Sequence, residues 1–134
     1  MIVKRFCTAT AAVTAACLTL AIAGCGPQIP DGLMAVTGSV TFQGKPVSYG
    51  EVVFEPDAER GNRGPQSRCP INNGAYATRA GFGAPIGPVL VFVRGFSQPP
   101  VLDYLPTAEL FKPHTLKAVL DPKSPRLDIT VPTP

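Results

Sequence analysis

The side chains best suited to nucleophilic or metal chemistry are four cysteines and one histidine, His114. A thiol nucleophile needs a base beside it, and Cys69 and His114 lie 45 positions apart with no motif around either. A Ser-His-Asp set would have only His114 as its base. Asp57 and Glu59 are spaced for an alternating calcium loop, but the surrounding stretch lacks the density of oxygen ligands such a loop uses, and a solvated loop is expected. The glycines of "GFGAPIG" follow a G-x-G-x-x-x-G spacing, with no phosphate-binding lysine and an apolar strand rather than a helix after them. No catalytic residue, metal or cofactor is therefore expected. Tyrosines can stack on sugar rings, and with Tyr76 expected in the core, Tyr49 and Tyr104 are the candidate ligand-binding residues. The chain has no tryptophan to extend such a platform.

Cys25 belongs to a different chemistry. Lys4 and Arg5 precede a charge-free run, Phe6 to Gly24, dominated by Ala and Thr and ending in small residues. That is the layout of a secretory signal, with no basic stop-transfer flank behind it. Its last residues, Ile22-Ala23-Gly24-Cys25, resemble the bacterial lipobox. The resemblance implies cleavage before Cys25, a diacylglyceryl thioether on its sulfur and acylation of the new amino group. Two or more acyl chains anchor stably, each buried CH2 contributing about 0.8 kcal/mol. Residues 1–24 are thus expected to be a cleaved lipoprotein signal peptide. Residues 25–35, rich in Pro and Gly, are expected to be a tether that lets the domain stand off the lipid surface.

The chain beyond the signal has the size of one domain. Without Lys4 and Arg5, the 12 basic residues fall to 10 against 9 acidic ones, and that near-balance makes no electrostatic case for nucleic acid. All 16 prolines lie beyond the signal and disfavour long helices. Cys7 and Cys17 leave with the signal and Cys25 carries lipid, so Cys69 has no partner for an intrachain disulfide. A buried, inert thiol is expected.

The remaining pattern is of strands. In "VTGSVTF", Val36, Gly38, Val40 and Phe42 alternate with polar residues. In "GEVVFEP", Val52 and Phe54 face the core, and Val53 shares a water-facing side with Glu51 and Glu55. "QGKP" and "NNG" are turns. "SRCPI", weakened by Pro70, and "AYATRA" flank the second turn. "VLVFVRGF" is expected to be central and buried on both faces, and a short helical turn is expected near Thr107–Phe111. "TLKAVLD" and "RLDITVP" close the chain. About seven short strands predict an all-β sandwich.

The order "VTGSVTFQGKPVSYGEVVFEP", "NNGAYAT", "GAPIGPVLVFVRG" and "LKAVLDPKSPRLDITV" resembles the carboxypeptidase regulatory-like, or transthyretin-like, domain. Val36, Gly38, Val40, Gly44, Lys45, Pro46, Val52, Phe54, Pro56, Gly74, Tyr76, Gly87, Val89 and Val91 occupy that frame. Val89 stands where an aromatic is common, and Pro88 is unusual beside that strand. The resemblance covers most of residues 36–131. It implies a seven-stranded, Ig-like or prealbumin-like sandwich over residues 36–134 and no reaction. The expected function is a noncatalytic cell-envelope lipoprotein, exported and bound to a membrane through lipid on Cys25. It would serve as a structural or protein-interaction module for a cell-envelope protein. The alternative is a carbohydrate- or cell-wall-binding module taking a polysaccharide through loops 57–66 and 97–113.

Overall fold

Two tight turns set the register of the first half of the domain. In the computed structural model, which describes Gly24, residues 26–101 and residues 108–134, Gln43 and Gly44 have φ of 51° and 71°, and Asn73 and Gly74 have φ of 50° and 81°. A two-residue hairpin loop needs both residues in this left-handed region, which Asn and Gly tolerate best. The first turn joins β2 (Thr37–Phe42) to β3 (Lys45–Pro46), and the second joins β5 (Ser67–Asn72) to β6 (Ala75–Ala77).

The protein is mostly β, in curled sheets. Among the described residues there are ten strands rather than the seven expected, with one 3-10 turn at Ala58–Arg60. The large sheet runs β10 (Ile129–Val131), β2, β6, β5, β4 (Tyr49–Pro56), β8 (Gly87–Phe96), β9 (His114–Leu120), with β3 beside β2. All its pairings are antiparallel except that of β10 with β2. No described helix is long and apolar enough to cross a membrane.

A second, two-stranded sheet pairs β1 (Leu33–Met34) with β7 (Ala84–Pro85). Leu33 and Met34 fall within the expected tether, yet Met34 lies in the core. Upstream, Pro27 and Ile29 lie close against Gly81 and Gly83. The signal segment, Cys25, Tyr104 and Thr107 lie outside the described residues. Past Thr107 the chain is extended, not helical: Glu109 bridges Phe96, and the Leu110 N–H donates to the Gly95 carbonyl at 2.8 Å.

The core follows from the alternation. Directly paired residues share a face, so the ladder builds inward rows such as Ser67–Phe54–Val91–Leu116. Val36, Val40, Val52, Phe54, Ile71, Val89, Val91, Val93, Ile129 and Val131 are buried in one cluster. Two expectations fail on the outer face. Val53 is buried despite its glutamate neighbours, because it sits in register between Arg68 and Phe92. Strand β8 is central and fully buried on one face only; on the other, Leu90, Phe92 and Phe96 are half-buried and Arg94 is exposed.

Phe54 is fully buried, with its ring centroid 6.0 Å from that of Tyr76. Phe54→Ala is expected to cost about 3–5 kcal/mol. Urea unfolding followed by circular dichroism measures it, and an unchanged midpoint would contradict the packing.

Candidate functional site

The strands decide which candidates can meet. Strand β4 starts at Tyr49, opposite Phe96 and Asn72, and ends at Pro56, opposite Val89. Loop 57–66 follows Pro56, and segment 97–113 follows Phe96. The two loops therefore leave opposite ends of the same strand pair, roughly 23 Å apart at about 3.3 Å per residue. Among the described residues, no single sugar site draws on both. Tyr49 is half-buried at the far end, and Tyr104 lies outside the described residues.

Loop 57–66 borders an open cleft of about 510 Å³, lined by Glu55, Pro56, Ala58, Asn62, Arg63, Gly64 and Gln66. The loop is held from within. The Asn62 side-chain amide donates to the Pro88 carbonyl at 2.7 Å, as does the Asp57 backbone N–H at 3.0 Å. The loop is solvent-exposed as expected from Ala58 to Gln66, half-buried Asn62 apart, and Asp57 is the exception. It is only 1% exposed, and its Oδ2 has no hydrogen-bond partner. Glu59 is exposed, and no group of three His, Cys, Asp or Glu side chains among the described residues is placed to hold a metal. The cleft is a polar surface without a ligand set.

Cys69 and His114 come into one row of the ladder, a relation sequence spacing could not reveal. The row runs Cys69–Val52–Val93–His114. Three inter-strand steps of about 4.8 Å separate them, roughly 14 Å along the sheet, with two valines between. Proton transfer needs hydrogen-bond reach, so they form no nucleophile–base pair. His114, expected at the surface after Pro113, is half-buried on this inward row instead. Cys69 is free and fully buried. Burial pushes its thiol from 9.0 up to about 11, against a smaller opposing effect of hydrogen bonding with Ser67. The nucleophilic thiolate is disfavoured.

Charges are organised on the outer face. Glu51 lies 3.0 Å from Arg68 and 3.6 Å from Arg94, and Arg94 lies 2.9 Å from Glu109. This row ties β5, β4, β8 and the segment before β9 together. The arginines are substantially exposed although Glu51 is half-buried, and pairs open to solvent in this way each contribute only about 0–1 kcal/mol. A second cluster holds the C-terminal segment. Asp128 accepts from the Ser39 N–H and hydroxyl, both at 2.9 Å, and pairs with Arg126. The Arg126 bond, then the Ser39 hydroxyl, holds its carboxyl below the usual range. Neither cluster contains a free nucleophile or a buried acid–base pair.

The sealed thiol has two measurable consequences. Cys69 is expected to react slowly with a thiol reagent in the native state and rapidly once denatured. Cys69→Ser is expected to destabilise by about 1–3 kcal/mol, because it puts a more strongly hydrated hydroxyl into a core position whose hydrogen-bonding neighbour is Ser67. Raised folded-state pKa values also fix the sign of the alkaline response. The unfolded chain loses its Cys69 proton near pH 9 and the folded chain only near 11, so stability falls with rising pH across that window. The Tyr76 hydroxyl, raised mainly by burial, adds to the fall at higher pH. Thermal melts between pH 8 and 11 test this: Cys69→Ala is expected to flatten the decline, and an equally steep decline would count against the buried thiol. No family model, curated protein or solved structure matches the chain.

Proposed function

We propose that this chain is a noncatalytic, membrane-anchored lipoprotein of the cell envelope. Residues 1–24 are its cleaved signal, Cys25 carries the lipid, and the exported part is a prealbumin-like β-sandwich of the carboxypeptidase regulatory-like kind. One observation carries the reading: a charge-free, signal-like run ends in Ile22-Ala23-Gly24-Cys25 a few residues before the domain's first strand, at Leu33. The sealed Cys69 and the separation of His114 from it support a structural or protein-interaction role over a catalytic one. Strand β9 ends the large sheet and offers one edge to which a partner strand could add. Polysaccharide binding is the weaker reading, because its two loops lie at opposite ends.

Cys25→Ala is expected to abolish incorporation of a fatty-acid probe and to release or mislocalise the domain. Metabolic labelling followed by membrane fractionation reads both. Label retained on the alanine variant would overturn the proposal.

A further inference from the structure

The segment expected to hold the domain away from the lipid is not free to do so. Pro27 lies against Gly81 and Ile29 against Gly83. The Ile86 N–H donates to the Gly32 carbonyl at 3.0 Å, and Leu33–Met34 then enters the small sheet. The chain running toward Cys25 therefore passes over loop 81–83, with Ile29 half-buried against it and the exposed Pro27 lying beside Gly81. Only Gly26 separates Cys25 from Pro27. Two residue steps reach about 7 Å at full extension.

The same loop carries Phe82, 57% exposed. An isolated exposed aromatic is ordinary on a soluble surface. This one sits beside that segment, with the Arg79 guanidinium 5.2 Å from its ring centroid. Loop 57–66 flanks the same end, with Gly64 close to Pro85 and Asn62 close to Gly87. Arg60, Arg63, Arg79 and Lys123 are exposed at this end, against Asp31, Glu59 and Asp121, with Arg126 paired to Asp128. A phenyl ring with adjoining arginines matches a peripheral membrane contact, in which apolar side chains enter the headgroup boundary and cations are drawn to anionic lipid.

We infer that the Phe82–Arg79 end is a membrane-resting surface whose partner is the anionic phospholipid headgroup layer around the anchor. This rests on the lipoprotein reading and adds to it an orientation: loops 57–66 and 79–86 face the lipid. The Gln43–Gly44 and Asn73–Gly74 turns, Tyr49 and residues 97–101 face away. The lipid holds the domain down at one end and leaves the other free for a partner.

The lack of tryptophan makes the test direct, because Phe82→Trp introduces the chain's sole indole. The acylated protein is placed in vesicles of phosphatidylethanolamine and phosphatidylglycerol, with and without brominated acyl chains. Blue-shifted emission, quenched by the brominated lipid, is the expected result. Asn72→Trp, exposed at the opposite end, should stay unshifted and unquenched. Adding Arg79→Glu should reduce quenching more in anionic than in zwitterionic vesicles. Ala80→Trp, also exposed, repeats the measurement if circular dichroism shows Phe82→Trp misfolded. Fatty-acid labelling of the same preparations separates the two ideas. An acylated protein with an unquenched indole at position 82, or equal quenching at positions 72 and 82, overturns the orientation alone. A chain without acyl label overturns the lipoprotein reading, and the orientation with it.

Discussion

The architecture depends on a close approach at Gly38. The Tyr76 hydroxyl donates to the Leu127 carbonyl at 2.5 Å, and that carbonyl occupies space where any Cβ at position 38 would lie. The absence of a side chain there lets the C-terminal segment settle against β2. Once Leu127 is held, Ile129 and Val131 fall in register beside Val40 and Phe42 and seal that side of the core. A larger residue at position 38 would have to displace backbone, not the end of a flexible side chain. Thr37 completes the join, its N–H donating to the Pro125 carbonyl and its carbonyl accepting from the Leu127 N–H, and the parallel pairing of β10 and the Asp128 cluster continue from there.

Much of the fold is legible in the sequence because period-2 alternation is a strong signal. It places Val36, Gly38 and Val40, Val52 and Phe54, Cys69 and Ile71, and Ile129 and Val131 on inward faces, where each is buried. The two turns are equally readable, since Gly44, Asn73 and Gly74 are residues that accept positive φ. Pro70 also behaves as proline in a sheet should: β6 pairs with β5 only at Ile71 and Asn72, leaving the edge open at Pro70.

The remainder depends on neighbours that no local pattern reveals. Val53 is buried because Arg68 and Phe92 lie beside it in adjacent strands. The outer face of β8 is half-open because the sheet curls around a single core. Leu33–Met34 and Ala84–Pro85 are too short to show alternation, so their pairing is invisible in the sequence. Asp57 reads as solvated because its loop is polar; the loop folds back on Pro88 and buries it. The opposite placement of the two long loops is a property of strand direction and length. For the candidate site, the isolation of Cys69 is legible from cysteine arithmetic, while its shared row with His114 needs the register.

The two ends of the large sheet, β9 and β10, are not joined by a hydrogen-bonded ladder. Near them, the segment before β9 is tied to β2 by side chains alone. The Phe111 ring fills the space above Gly95, near Val47, and lies 5.0 Å from the Phe42 ring at 45°. Such contacts are soft and non-directional, whereas a ladder is stiff and fixed in register. The molecule thus has a seam along which it can breathe without breaking a backbone pairing. Amide exchange through local opening should begin along this line and spread last to the β4–β8 pair, whose ladder spans all eight residues of β4.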